Sequence, residues 1–431
     1  MRVAVALVVS LVATACSATL SSAPATTATT DAATVAPSSA PNTAAAARST
    51  ATSPITSTTT APTSTTTSPT TSTTTASTTT TTLPAWPRTI TMAFAGDTLP
   101  HSPLWRRAER NAAEAGVDGF DFGPMLAGLA PVLDEVDLAV CHLETPIAPL
   151  GEEFSTSPRY GVPAEIVDAI AAAGFDRCST ASNHTADRGT AGIDRTVDVL
   201  ESRGLGQSGM ARTPAEIEPA VFEVDGVDVS HLSYTFSYNG LRLPADEQWR
   251  SATIDPGRII ADARTARDLG ADIVLVSMHW GNEGVSEPTG AQRAIADEIT
   301  ATGLVDLVIG HHAHVLQPIE RVNGTWVLFG LGNIVSNLPT SDRWPAASQD
   351  AAIVTVAFEV AADGTVVAGT PSAVATWVDK DAGWVVRLVD DELARADLTA
   401  GQRGRLERSR ERTDGVLGPF LPVTDNVTES G

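Results

Sequence analysis

Residues 17 to about 85 are almost entirely Ser, Thr, Ala and Pro, with unbroken threonine runs at 73–75 and 78–82. No other feature constrains the fold as strongly. A segment with so little apolar bulk cannot offset the conformational entropy lost on ordering, so it is excluded from any core. It reads as a disordered stalk, open to glycosylation, that contributes reach rather than chemistry. As a flexible coil of roughly 70 residues it has a root-mean-square reach of about 45 Å. What remains of the 431 residues suits one large α/β domain.

Ahead of the stalk, residues 1–15 read as a secretory signal: one positive charge at Arg2, an apolar run over 3–12, then the small Ala13, Thr14 and Ala15. Small residues directly before Cys16 resemble a bacterial lipoprotein cleavage site, where the cysteine becomes the lipidated first residue; an ordinary cleaved signal with an incidental cysteine is the alternative. The expected organisation is a signal over 1–15, a linker over 16–86, a folded domain over 87–390 and a charged tail over 391–431. In that tail one peripheral helix precedes disorder. The protein is expected outside the cytoplasm, lipid-anchored to the cell membrane or, on the alternative, secreted.

Charge narrows the partners. With 28 basic against 51 acidic side chains the formal net charge is −23, which disfavours nucleic acid or an anionic surface bound through a basic face. Beyond Cys16 only Cys141 and Cys178 remain, each a few residues before a potential ligand at a strand end. They either pair as a disulfide or serve as small buried side chains.

From residue 89 the pattern becomes a βαβ rhythm. Strands are expected at 89–95, 137–142 and 175–181, alternating with helices at 122–135, 163–173 and 189–203. A hairpin spans 220–236 across Asp225-Gly226. Then come a helix at 256–269, a buried strand at 272–279, a helix at 291–302 and a strand at 305–310. Further strands at 317–322, 326–330, 352–360 and 365–378 turn through Asn323-Gly324 and Asp363-Gly364. This order fits mixed sheets packed face to face and covered by helices.

All eight histidines lie between His101 and His314. Five segments at the carboxyl ends of expected strands gather ligand-type residues: Gly96-Asp97 with His101, His142-Leu143-Glu144, Asn183-His184, His279-Trp280-Gly281, and Gly310-His311-His312-Ala313-His314. Carboxyl ends are where sites assemble in open α/β sheets. Carboxylates, imidazoles and an amide together suit Mn, Fe or Zn rather than Ca or Mg. By strand period His312 and His314 share a face and His311 points away, so His311 is left out of the ligand set. His231, inside the hairpin, reads as structural, and Trp280 as packing.

Read in order, the segments Phe94-Ala95-Gly96-Asp97, Leu143-Glu144-Thr145-Pro146, Asn183-His184 with Asp187 and Gly189, His279-Trp280-Gly281-Asn282-Glu283, Gly310-His311-His312-Ala313-His314 and Leu331-Gly332-Asn333 resemble the CapA family of poly-γ-glutamate capsule synthesis proteins. That family belongs to the calcineurin-like metallophosphoesterase superfamily. The resemblance covers about 88–385 and implies a metallophosphatase-like four-layer α/β/β/α sandwich with mixed sheets. It implies two divalent metal ions, with Asp97 and Glu144 as acidic ligands, Glu144 bridging, Asn183, His279 and His312 on the second ion and His314 returning to the first. His184 would stand beside them as general acid or phosphate contact. His101 and Glu283 are further metal or substrate contacts. His101 follows Asp97 by four residues where the superfamily spaces them by two; Glu144 replaces the Asp of most phosphatases; His142 and Ser182 stand where the CapA branch usually has Asn.

The resemblance implies a role in biosynthesis or export of a poly-γ-glutamate-type capsule polymer, with capsule-synthesis membrane subunits and an anionic polymer as partners. A stand-alone phosphoesterase of the cell envelope and a non-catalytic polymer-binding module are the rival readings. Whether the protein is an enzyme is open at this level, because one scaffold hosts many functions.

Overall fold

A computed structural model describes residues 87–341 and 343–422; the signal, Cys16 and the whole stalk lie outside the described residues. The first strand, β1 (Arg88–Leu99), runs four residues beyond the expected end and carries Asp97 within it. Helix α1 (Ser102–Ala115) follows, then the single-turn helices α2 (Gly123–Leu126) and α3 (Ala130–Leu133). Strand β2 (Leu138–Leu143), α4 (Glu165–Ala172), β3 (Arg177–Ser179), α5 (Gly189–Ser202) and β4 (Gly206–Ser208) continue the alternation. The hairpin is β5 (Val221–Val224) and β6 (Val227–Thr235); Asp225 and Gly226 both take the positive φ that a tight turn of this hand needs.

The second half opens with α6 (Pro256–Asp268), where Asp255 caps the amide of Arg258 and Pro256 occupies the first helical position. Next are β7 (Ile273–His279), α7 (Gly290–Thr300), started by a Thr289/Gln292 capping box, and β8 (Leu307–His311). Strands β9 (Leu316–Val322), β10 (Thr325–Leu331), β11 (Asn333–Ser336), β12 (Asp350–Val360), β13 (Val366–Ala368), β14 (Ser372–Asp379) and β15 (Val385–Leu388) complete the sheets. The single strand expected at 365–378 is thus broken around Pro371, which has no amide to donate. The chain closes with α8 (Val389–Ala394) and α9 (Ala400–Leu417).

One sheet has the order β15-β14-β12-β1-β2-β3-β4, with β11 added to β1 and β13 to β12; the other has the order β5-β6-β7-β8-β10-β9. Each has a parallel run, β1-β2-β3-β4 and β6-β7-β8-β10; in the first sheet it reaches the edge at β4 with antiparallel strands on the other side, and in the second it is flanked by antiparallel strands on both sides. The inner faces meet through Ile90, Met92 and Phe94 on one side and Leu275, Leu307 and Ile309 on the other. The outer face of the first sheet packs under α1 to α5 and that of the second under α6 and α7. The result is four layers, α/β/β/α.

Helix α9 corrects the view of the residues after 391 as a peripheral tail. Its Leu406 and Leu417, with Leu421 beyond it, belong to the buried cluster between the sheets, and it lies against β9, β12 and β14. Buried Asp350 at the start of β12 receives Ser409 at 2.7 Å and Arg412 at 2.5 and 2.8 Å. The helix thus plugs the flank between β14 and β9. Cys141 and Cys178 are register partners on the parallel strands β2 and β3 and form a disulfide. Among the described residues no helix is long and apolar enough to cross a membrane.

Candidate metal centre

The parallel strands of both sheets end on the same side, and the chemistry gathers there. Asp97 reaches its place because β1 shifts register between Phe94 and Asp97, where the chain presses on the turn at Gly332. A Cβ on Gly96 would sit 2.2 Å from the Gly332 carbonyl oxygen, so only glycine permits that approach. The Asp97 amide donates to that same oxygen at 2.8 Å. Glu144 follows the last residue of β2, its carbonyl accepting from Ser182 Oγ at 2.5 Å, and the Ser182 hydroxyl accepts from the His184 amide at 3.0 Å. His279 ends β7. Strand β8 ends at His311, and His312 and His314 then take positive φ (85° and 56°), a tight reversal that turns both rings inward.

That reversal is why His311 was misplaced from the sequence: alternation holds only while the strand continues, and it stops at His311. Its ring is buried, stacks on His142 at 4.1 Å and brings Nδ1 to 3.3 Å from Asp97 Oδ1. His142 runs in a chain with Ser179 Oγ at 2.8 Å and His279 Nδ1 at 3.0 Å. The far nitrogen of His279 lies 3.0 Å from Asn183 Oδ1.

Asp97, Glu144 and His314 present donor atoms all within 4.8 Å of one another, as do Glu144, His279 and His312. Glu144 is common to both triads. His314 Nδ1 is 3.2 Å from Asp97 Oδ2, and its Nε2 is 3.7 Å from Glu144 Oε1. Two flanking triads, Asp97-His142-His311 beneath and Glu283-His312-His314 toward the mouth, extend the cluster. Asn183 touches the set through His279. His184 stands beside it, with Nδ1 held by Asp187 at 2.7 Å and Nε2 3.9 Å from Glu144. His101 joins no triad; its Nδ1 lies 2.9 Å from the Leu99 carbonyl, and its ring packs edge-on against Tyr160. Glu283 forms an ion pair with Arg343 at the rim.

The donor set fits cations. Glu144 is fully buried and neither of its oxygens accepts a hydrogen bond; Asp97 Oδ1 and His312 Nδ1 are buried and unpaired in the same way. A buried carboxylate with no partner costs several kcal/mol, of order, unless a cation compensates it. Burial would raise the Asp97 carboxyl, but the adjacent rings of His311, His314 and His142 outweigh it and hold it well below the usual carboxylate range. Burial pushes Glu144 up to about 7 against the attraction of His314. His314, opposed by burial but facing Glu144 and Asp97, rises to about 9. Burial presses His312 down to about 4 and His142 and His279 well below the imidazole range, keeping lone pairs available for a metal.

A family description of bacterial capsule synthesis proteins, PGA_cap, matches residues 91–338, which include every donor described above. The chain belongs to the PGA_cap family. It is 27% identical to the capsule biosynthesis protein CapA of Bacillus anthracis over 256 residues, 56% of this chain and 60% of that protein. It is 25% identical to the PGA biosynthesis protein CapA of Bacillus subtilis strain 168 over 250 residues, 57% of this chain and 63% of that one. The chain therefore spans less than two thirds of the length of these PGA_cap relatives. Among solved structures it is similar to a putative 5'-nucleotidase from Staphylococcus aureus at 14% identity, covering 76% of this chain and 59% of that one with a TM-score of 0.42. The two face-to-face mixed sheets under helices give this PGA_cap protein a metallophosphatase-like α/β sandwich.

Sequence reasoning missed the mouth. Phe236 is half exposed, 4.6 Å from the His312 ring and 6.3 Å from that of His279, and Trp344 meets His314 edge-on at 5.5 Å. Arg343 lies 5.0 Å over Trp344. Neither aromatic belongs to a motif, and only the fold brings them to the donors.

Proposed function

We propose that this protein acts at the cell envelope in the biosynthesis or export of a poly-γ-glutamate-type capsule polymer, through a two-metal centre at the carboxyl ends of its strands. The observation that carries the reading is that the PGA_cap match spans the whole donor cluster, from Asp97 to Asn333. Asp97, Glu144 and His314 would hold one ion, and Glu144, Asn183, His279 and His312 the other, with Mn, Fe or Zn favoured by the mixed nitrogen and oxygen donors. When bound, such a pair supplies Lewis acidity and an acidified water. His184, its Nδ1 committed to Asp187, would hold a proton on Nε2 for a leaving group. Arg343, exchanging Glu283 for a carboxylate of the polymer, would seat an anionic chain at a rim walled by Phe236 and Trp344.

Lipidation at Cys16 would tether the domain and the stalk would hold it off the membrane, in contact with membrane subunits of the synthesis machinery. The Cys141–Cys178 disulfide supports an oxidising, extracytoplasmic setting. The buried, unpaired carboxylates favour a second reading, a stand-alone metal-dependent phosphoesterase.

Deletion of the gene tests the first reading. It should abolish surface poly-γ-glutamate, with recovery on supplying the wild-type chain and none on supplying Glu144→Gln. Unchanged polymer after deletion, together with turnover of a generic aryl phosphate by the Mn-loaded chain, would replace it with the second.

A further inference from the structure

The sandwich carries a half-buried charge at the flank opposite α9. Here β4 edges one sheet and β5 and β6 edge the other, and a cavity of about 200 Å³ opens between them. Arg177, at the start of β3, lies against it. Its guanidinium stacks 3.8 Å over the Phe222 ring, with the backbone of Gly206 packed close to it. Nε donates to His231 Nδ1 at 3.2 Å and Nη2 to the Gln207 carbonyl at 3.3 Å. Because His231 Nδ1 accepts, its proton sits on Nε2 and is donated to Ser277 Oγ at 2.9 Å, so the imidazole is neutral and no counter-charge. Nη1 makes no hydrogen bond among the described residues.

The acidic groups lining the cavity are already used. Asp262 pairs with Arg258 at 3.2 Å and accepts from Tyr234 Oη at 2.8 Å, and Glu216 pairs with Arg212 at 3.0 Å. Glu218 is exposed. The neighbouring Asp176 accepts from the Ala139 amide and forms no ion pair with Arg177 among the described residues. Burial pushes the Arg177 guanidinium down to about 10, against the attraction of Asp176, yet it stays charged at neutral pH.

We propose that this cavity is a binding site for a small carboxylate, whose charged end meets the free edge of the Arg177 fork while its hydrocarbon body lies along Ile217, Pro219 and Phe222. The fork matches carboxylate geometry, and the ring beneath it holds it in place. The volume is below that of sites for drug-sized ligands, so the ligand has few heavy atoms. This site is independent of the metal centre and of the capsule reading.

The test is thermal denaturation of the full chain, stripped of metal, titrated with succinate and separately with inorganic phosphate. Succinate should raise the melting midpoint by roughly 3 °C near saturation in the wild type and equally in His312→Ala, and leave Arg177→Met unmoved. An equal rise in Arg177→Met, or no rise in the wild type at tens of millimolar, overturns the site. A larger rise with phosphate than with succinate overturns the carboxylate assignment. Should Arg177→Met fail to fold, labelling of the wild type with phenylglyoxal decides by peptide mass spectrometry. Succinate should slow modification of Arg177 severalfold and leave the exposed Arg106 unchanged; equal labelling of Arg177 with and without succinate overturns the proposal.

Discussion

Two regions of one sandwich hold charge without an internal ion-pair partner, one fully buried and one half-buried, and the signs are opposite. At the strand ends the unpaired atoms include both oxygens of Glu144 and Oδ1 of Asp97, which are acceptors, and a ring nitrogen of His312. At the flank by β4 and β5 the uncompensated group is a guanidinium, a donor only. Both sites are polar islands beside the same inter-sheet core, so burial alone does not set their character. The chemistry of what is left unpaired does: acceptors without donors call for cations, and a donor without an acceptor calls for an anion.

Glu144→Gln is the severest challenge to that contrast, because both triads share this carboxylate. Metal content measured by elemental analysis should fall from near two equivalents to one or fewer, and any phosphoesterase turnover should fall by more than the ~100-fold typical of changes outside a ligand set. Full metal content in Glu144→Gln would mean that the unpaired oxygens do not mark the cation site. Leu406→Ala, at the plugged flank, should cost about 2–4 kcal/mol in denaturant unfolding, and a loss below about 1 kcal/mol would show α9 to be dispensable.

Acid separates the two regions. His312 and His101 are held near 4, and burial holds His142 and His279 well below the ordinary imidazole range, against about 6.5 in an unfolded chain. The unfolded state then binds more protons between those values, so stability of the metal-free chain is present above pH 6.5 and lost as pH falls toward 4. Glu144, held near 7, opposes this, as do Asp306 and Asp350, whose carboxyls burial also raises. The denaturant midpoint should therefore drop from pH 6.5 to 4 and drop less in His312→Ala, while Arg177 stays cationic throughout. A flat profile would contradict the neutral imidazoles. The smallest effect is expected of His142→Ala. With His279 loaded through Nε2, its Nδ1–H would point at His142, and loss of that partner should weaken metal binding by ~10–100-fold in a competition titration. Loss of a whole equivalent would instead make His142 a ligand, with His311 and Asp97.

The donors at the carboxyl ends of strands were legible because a short apolar run followed by Asp, Glu or His is a local pattern. Asp97, Glu144, His279, His312 and His314 all follow it. His311 was lost because its direction depends on where β8 stops, and the positive φ at His312 has no signature when the residue is not Gly or Asn. Helix α1 was legible but not read: Leu104, Ala108, Asn111 and Ala112 recur at helical spacing on its buried face. In α9 two leucines, Ser409 and Thr413 make up the buried stripe of an otherwise charged segment, which reads as solvated until the sheets it covers are known. Arg177 gave no signal because nothing in a sequence says which arginine lacks a carboxylate.

The first strand has a consequence for how the protein is made. β1 lies in the middle of its sheet, and its antiparallel neighbour is β12, with Arg88 opposite Val360. The ribosome adds on the order of 5–20 residues per second, so β1 waits tens of seconds for that partner, and α9 comes later still. Pairings this distant in sequence are slow to find. The nascent chain thus stays open through most of its synthesis, the state that export by the route proposed above would require.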